Sequence, residues 1–363
     1  MSTDTTPLED LRRLMSEVNA HILEELNRFF EISKQIGKEK DRLGLPHFSP
    51  ERESEMLIDI QLRNKGPISQ KIATDIFKTI FKASVDDMGI RTRKRLNISR
   101  GGSGQDQVIS LKGIDIGGGS PVLMAGPCAV ESEEQIDKTA AFLHDLGVRI
   151  LRGGAFKPRS SPYSFQGLEI EALKMLRRAA DRYGMVVITE VLDTDTLPEV
   201  EEYADILQIG TRNMHNYSLL KRLGKSSKPI FLKRGLMSTI EEFILAAEYI
   251  YLGGNPQIIL CERGIRTFET QTRNTLDISA VPILKKETVL PVIVDISHST
   301  GRKDIAVPMA RAALSAGADG IMVEAHINPL TALSDANQQL DPEEMKQFLS
   351  QVPELVSHPS VQQ

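Results

Sequence analysis

The sequence predicts an α/β chain, a (β/α)8 TIM barrel preceded by a three-helix all-α domain. Three observations predict it. From residue 121 onward, eight short apolar runs alternate with helical stretches. Residues 1–90 show apolar side chains at helical spacing and no strand-like run. Between the two, residues 91–107 (RTRKRLNISRGGSGQDQ) are basic and then rich in Gly and Ser, so they read as a linker. The domains expected are therefore 1–90, a linker over 91–107, and a barrel over 108–363.

Residues 7–43 read as one long helix. Asp4, Thr5 or Thr6 caps it, Pro7 suits its first turn, and Leu11, Val18, Ile22, Phe29 and Ile36 form one stripe. A helix of this length cannot bury its stripe in a small unit, which implies pairing between subunits. Gly44 and Pro46 end it. A second helix runs over 50–64 with Ser49 as its cap, Lys65-Gly66-Pro67 breaks the chain, and a third helix runs over 68–88. Residues 108–116 suit a short hairpin. The eight apolar runs fall at 122–125, 148–151, 185–189, 206–209, 230–232, 257–260, 292–295 and 320–323. Eight such units match a barrel, whereas a doubly wound sheet would need a GxGxxG turn that the chain lacks.

With 44 Lys and Arg against 49 Asp and Glu, the net charge of −5 argues against a general nucleic-acid surface. Only two cysteines, Cys128 and Cys261, fit a reducing cytoplasm without a disulfide framework. Neither a signal-peptide core nor an apolar run of membrane-spanning length is seen, so a soluble cytoplasmic protein is expected.

A barrel presents its chemistry at the C-terminal strand ends. Those ends carry Cys128, then Arg152 with Lys157 and Arg159, then Glu190, Arg212, Lys233, Glu262 with Arg263, Asp295 with His298, and Glu324 with His326. Arg152, Lys157, Arg159, Arg212, Lys233 and Arg263 would repel one another without anions between them, which calls for phosphates and a carboxylate. Gly153, Gly154 and Pro158 break up this cationic stretch, letting backbone approach a ligand and stiffening the loop. Cys128, His298, Glu324 and Asp335 form a mixed soft and hard donor set, suited to a borderline divalent transition metal. Spacing does not choose between this set and a core cysteine beside a hydrogen-bonded histidine, because the four lie on different loops.

AGPCAVES at 125–132, LRGGAFKPRSSPYSFQG at 151–167, QIGTRNMHN at 208–216 and FLKRG at 231–235 resemble 3-deoxy-D-arabino-heptulosonate 7-phosphate (DAHP) synthase. So do LCERGIRTFE at 260–269, DISHSTGR at 295–302 and ALSDANQQL at 332–340. The match is closest to the branch carrying an N-terminal chorismate mutase domain in Gram-positive bacteria. The resemblance implies that Cys128, His298, Glu324 and Asp335 hold the metal, with Mn²⁺ ahead of Fe²⁺, Co²⁺ or Zn²⁺. It implies that Arg152, Lys157, Arg212, Lys233 and Arg263 bind phosphoenolpyruvate, and that Lys157, Pro158, Arg159 and Ser160 hold erythrose 4-phosphate. Cys128, His298 and Lys157 are then the catalytic residues, with Lys157 the candidate proton donor to the new hydroxyl. The rival in this fold, 3-deoxy-octulosonate 8-phosphate synthase, has a Lys-Ala-Asn-Arg-Ser loop where Lys157-Pro158-Arg159-Ser160 stands here. A non-catalytic phosphometabolite sensor would not need the complete ligand set. The resemblance also implies a homodimer or homotetramer.

The helical domain resembles all-α chorismate mutase through LEDLRRLMSEVN, IGKEK and PERE. That likeness places Arg12, Lys40, Arg52, Glu53 and Ser84 in a pocket for chorismate or prephenate. Three positions depart: the mid-helix arginine falls on Phe29, an aspartate on Ser49 and a glutamine on Met88. Phe29 and Lys40 are eleven residues apart and so face the same way within about 20°, whereas Arg28 is turned about 100° away. Arg28 therefore does not substitute, and a weak or absent mutase is expected. A working mutase, a pocket that senses chorismate or prephenate, and a dimerisation unit all stand as readings.

Overall fold

The computed structural model describes residues 7–43, 45, 49–93, 96–101, 105–157, 163 and 165–356. The chain forms two compact units, Met1–Leu96 and Asn97–Gln363. This corrects the linker expected over 91–107, whose C-terminal part belongs to the barrel unit. Asn97 donates from its backbone N and Nδ2 to the buried Glu248 at 3.1 and 2.7 Å. The Val289 N donates to Ile98 O at 3.0 Å, Arg100 N to Glu287 O at 3.0 Å and Gln107 N to Val289 O at 2.7 Å. Ile98 is fully buried, an apolar anchor inside an otherwise polar stretch.

In the first unit, α1 (Pro7–Leu43), α2 (Pro50–Arg63) and α3 (Gln70–Arg93) follow the expected order. Ser49 caps α2, its Oγ accepting from Arg52 N at 3.3 Å. Asn64 shapes the next break, accepting from Gly66 N at 3.0 Å and donating to Ile68 O at 3.0 Å. Gln61 Nε2 donates to Thr74 Oγ1 at 3.1 Å and ties α2 to α3. Along α1, Leu8, Leu11, Met15, Val18 and Ile22 recur at alternating spacings of three and four and are all exposed. Phe29 leaves that row for the inside, stacking on Phe81 of α3 at 6.1 Å between ring centroids.

In the second unit, β1 (Ile109–Leu111) and β2 (Ile114–Ile116) form the expected hairpin, with Ile109 opposite Ile116. The eight barrel strands are β3 (Val122–Gly126), β4 (Ile150–Arg152), β5 (Val186–Val191), β6 (Ile206–Ile209), β7 (Ile230–Lys233), β8 (Ile258–Glu262), β9 (Val292–Asp295) and β10 (Gly320–Glu324). All neighbours are parallel, and β10 closes onto β3 with Gly320 beside Val122. Strands buried on both faces need continuous apolar sequence, which is why these runs stand out.

Side chains alternate across a strand, so every second residue faces the barrel interior. Met124, Ile150, Ile188, Ile206, Phe231, Cys261, Ile293 and Met322 pack into one buried cluster. Ile109, Ile114 and Ile116 of the hairpin join that cluster and seal its N-terminal end. Two residues further along each chain stand Gly126, Arg152, Glu190, Gln208, Lys233, Arg263, Asp295 and Glu324. One period of the pleat thus converts an apolar plug into a polar floor. Cys261 belongs to the plug, and burial pushes its thiol well above its ordinary pKa. In a Cys128→Ala background, DTNB should titrate no thiol in native protein and one after denaturation.

Candidate active site and metal centre

One ligand atom from each of Cys128, His298, Glu324 and Asp335 comes within 4.8 Å of all the others. Cys128 lies two residues beyond β3, after Gly126, whose φ of +150° puts a hypothetical Cβ 2.0 Å from Arg152 O. His298 sits in the short helix Ile296–Thr300, capped by the strand-end Asp295. Glu324 ends β10, and Asp335 occupies the left-handed region at φ +47°. A thiol, an imidazole and two carboxylates suit a borderline divalent transition metal, so these residues fit the ion that the family resemblance implies.

Asp295 is fully buried and binds three donors. Lys233 Nζ donates to its Oδ2 at 2.5 Å, His298 Nδ1 lies 2.8 Å from the same oxygen, and His298 N donates to Oδ1 at 2.9 Å. With Nδ1 held there, Nε2 is left facing Glu324 Oε1 at 3.3 Å. Burial alone would raise Asp295, but His298 and Lys233 outweigh it and hold the carboxyl well below the usual range. Burial lowers the His298 pKa against the pull of Asp295 and Glu324. Burial, followed by the Glu324 charge, pushes the Cys128 thiol up to about 11. Asp335 is held at about 2, because the Arg273 hydrogen bond and charge overcome its burial.

The cations divide by environment. Arg152 is buried and donates to Glu324 Oε1 at 2.5 Å and to Pro127 O at 2.9 Å. Lys157 Nζ donates to Cys128 O at 2.9 Å and lies 3.1 Å from Cys128 Sγ. Gly154 permits this approach, since a Cβ there would stand 2.5 Å from Cys128 O and 3.0 Å from Lys157 Cδ. Arg263 is buried with its Nε lacking a partner, and burial lowers its pKa. An under-paired buried guanidinium is a site for an anion. Arg212 differs from the others: it lies exposed on the 3₁₀ turn Thr211–Asn213 after β6. Pro158, Arg159 and Ser160 lie outside the described residues.

Three strand-end groups have other partners. Glu262 is bound by Arg234 at 2.8 Å and by Gly264 N at 2.6 Å. Glu190 accepts from Gln208 at 3.2 Å. His326 accepts from Asn328 N at 2.9 Å and faces Glu131 Oε2 at 3.5 Å with Nε2, which makes no hydrogen bond.

Four supporting residues escape the sequence reading. Arg273 NH1 donates to Asp335 Oδ2 at 2.9 Å and to Gln338 Oε1 at 2.8 Å. Ser334 Oγ lies 3.2 Å from Cys128 Sγ, and Gln339 Oε1 accepts from Cys128 N at 2.8 Å. Gln338 bonds Glu324 directly. The dense polar run over 334–339 in ALSDANQQL marks Ser334, Gln338 and Gln339, while no such signal marks Arg273.

In the helical unit, Arg12 and Arg52 are exposed, Lys40 and Glu53 half-buried, and Ser84 buried. Arg52 pairs with Glu55 at 2.8 Å. Phe29, Phe77 and Phe81 cluster on the side of α3 that also carries Ser84, so an apolar group fills the position of the missing arginine. The side chain of Met88 lies outside the described residues.

A profile of the DAHP synthetase I family matches residues 101–359, and one of chorismate mutase type II matches residues 11–87. Phospho-2-dehydro-3-deoxyheptonate aldolase of Thermotoga maritima is 57% identical over 258 residues, 71% of this chain and 76% of the relative. A crystal structure of that DAHP synthase superposes with a TM-score of 0.69 at 56% identity, covering 71% of this chain and 76% of the other. The 2-dehydro-3-deoxyphosphooctonate aldolase of Francisella tularensis is 30% identical over 266 residues, 68% of this chain and 96% of the relative. The chain therefore belongs to the DAHP synthetase I family and carries a chorismate mutase type II domain ahead of its barrel.

Proposed function

We propose that the barrel condenses phosphoenolpyruvate with erythrose 4-phosphate to DAHP and phosphate, the first step of aromatic amino acid biosynthesis, and that it depends on a divalent metal. The observation that carries this reading is the convergence of Cys128, His298, Glu324 and Asp335 within 4.8 Å, with Lys157 Nζ 3.1 Å from the thiol. Identity of 57% to a DAHP synthase against 30% to an octulosonate synthase favours the four-carbon aldehyde.

A divalent ion bound by Cys128, His298, Glu324 and Asp335, with Mn²⁺ the first choice, supplies Lewis-acid polarisation of the aldehyde carbonyl. Arg152, Lys233 and Arg263, all buried, hold the phosphate and carboxylate of phosphoenolpyruvate, and Arg212 approaches from the rim of the mouth. They overcome the repulsion between two anionic substrates and bring C3 of the enolpyruvate to the aldehyde carbon. Lys157 donates a proton to the oxygen that becomes the new hydroxyl. Water adds at C2 of the resulting cation and phosphate leaves. Arg159 and Ser160 hold the aldose phosphate, with Pro158 shortening the reach.

Stripping the purified protein with a chelator should abolish DAHP formation, and Mn²⁺ should restore it. Arabinose 5-phosphate should be a poor substrate throughout. Activity that persists in stripped, metal-free protein would remove the metal dependence.

The N-terminal unit is a weak or inactive chorismate mutase whose pocket, with Arg12, Lys40, Arg52, Glu53 and Ser84, senses chorismate or prephenate and regulates the barrel. Phe29 supports this, because a stacked aromatic replaces a carboxylate anchor in a reaction driven by electrostatics. Wild-type protein should consume chorismate at most slowly, and Phe29→Arg should gain activity. Rapid turnover by wild type would instead mark a bifunctional enzyme. Regulation requires two sites with a coupling free energy between them. A prephenate titration that left the synthase rate unchanged would exclude it. The exposed 3-4 row on α1 supports a helix-paired homodimer, or a homotetramer built on it. No described helix is long and apolar enough to cross a membrane, which accords with a cytoplasmic location.

A further inference from the structure

Gln338 closes the 3₁₀ turn Ala336–Gln338, three residues beyond Asp335, and is 6% exposed. Its Nε2 donates to Glu324 Oε2 at 2.5 Å and lies 3.4 Å from Asp335 Oδ2. Its Oε1 accepts from Arg273 NH1 at 2.8 Å. One amide therefore touches two of the four candidate metal ligands.

The amide's orientation is determined. Turned over, it would present its NH₂ to the Arg273 guanidinium and its oxygen to two carboxylates, leaving every contact repulsive. Arg273 thus fixes which end of Gln338 faces the carboxylates. Gln338 in turn divides the two oxygens of Glu324 by role. Oε2 is occupied by the amide, while Oε1 faces His298 Nε2 at 3.3 Å and Arg152 NH1 at 2.5 Å. The amide also suits the charge of the place. Two carboxylates this close repel each other, and a neutral donor can hold both without competing for them as an ammonium would.

We infer that Gln338 is a positioning residue for the metal centre: by tying Glu324 Oε2 and steadying Asp335 it sets how tightly a divalent ion is held. Its side-chain hydrogen bonds go to Glu324, Asp335 and Arg273 and not to Cys128, Arg152, Lys233 or Arg263. This rests on the reading of Cys128, His298, Glu324 and Asp335 as a metal centre. A residue in this position typically contributes ten- to a hundred-fold in metal affinity.

The test uses the full-length protein, stripped with a chelator and titrated with Co²⁺. Binding is followed by the thiolate-to-cobalt absorption of Cys128, with Cys128→Ala as the blank. Gln338→Met is nearly isosteric and donates nothing, and Gln338→Ala removes the side chain. Both should bind Co²⁺ about 10- to 100-fold more weakly than wild type. The absorption at saturation should persist. Phosphoenolpyruvate affinity of the metal-free variants, measured by calorimetry, should stay within about two-fold of wild type. Cobalt affinity within two-fold of wild type in Gln338→Met would overturn the inference and leave the metal centre standing. Parallel loss of cobalt and phosphoenolpyruvate affinity in Gln338→Met would overturn it as well, by showing general damage to the site. A wild-type protein that bound no Co²⁺ would remove the metal-centre reading, and the role of Gln338 with it.

Discussion

Lys157→Met should lower kcat by about 10³, within the 10²–10⁴ range of a positioned general acid, when assayed at saturating metal and substrates. Two contacts carry this expectation. Lys157 Nζ is bonded to Cys128 O at 2.9 Å and lies 3.1 Å from Cys128 Sγ, so the ammonium is fixed at the edge of the ligand cluster. Its position is built by the chain around it, since any side chain at residue 154 would collide with both Cys128 O and the lysine. Substitution also removes a charge that opposes the upward push of burial on the Cys128 thiol. Metal affinity should therefore fall as well, and saturating metal separates that loss from the loss of proton transfer. KM for phosphoenolpyruvate should rise less than kcat falls, because the buried Arg152, Lys233 and Arg263 remain. Near wild-type kcat in a variant that binds both substrates would sink the proton-donor role.

The barrel was legible because its strands are buried on both faces, and that demand writes itself into sequence as uninterrupted apolar runs. Its polar floor was legible for a related reason. The pleat places residue i+2 on the same face, so at six of the eight strands, all but those ending near Gly126 and Gln208, the next interior position appears as an ion directly after an apolar run. Arg152 after Ile150, Lys233 after Phe231 and Glu324 after Met322 are examples. The supports of the site were not legible. Arg273 and Gln338 lie in polar loops, where nothing local distinguishes a side chain that braces a carboxylate from one that is merely solvated. Their partners stand 62 and 14 residues away. The attachment of 97–101 and 105–107 to the barrel was hidden for another reason, since much of it is backbone hydrogen bonding that any sequence can make. Arg212 shows what the strand-end pattern does not tell, namely burial: the turn Thr211–Asn213 leaves it exposed, whereas Arg152, Lys233 and Arg263 are buried.

Asp295→Asn should be the most damaging single substitution in the floor, through stability and metal binding together. Asp295 is a buried carboxylate serving Lys233 Nζ, His298 Nδ1 and His298 N at 2.5, 2.8 and 2.9 Å. Asparagine keeps the shape but carries no charge, and its NH₂ must face a donor. Lys233 is then buried without a counter-charge, which costs about 3–5 kcal/mol and lowers Tm by roughly 10 °C. His298 loses the acceptor that keeps Nδ1 protonated and Nε2 free, so metal affinity should fall about 10- to 100-fold. The acid limb should change in a defined direction. Asp295 has its pKa depressed on folding, so the unfolded chain binds more protons between the folded and unfolded values. Its contribution is present above the ordinary aspartate pKa and is lost as pH falls through the folded one. His298, also depressed, adds a loss of stability as pH falls below the ordinary histidine value. Wild-type stability should therefore decline steadily from about pH 6.5 downward and more steeply below about pH 4. Asp295→Asn should start lower and show the shallower acid decline, because its carboxylate no longer titrates. Equal slopes in chemical denaturation across that range would show that Asp295 does not hold His298 and Lys233 through its charge.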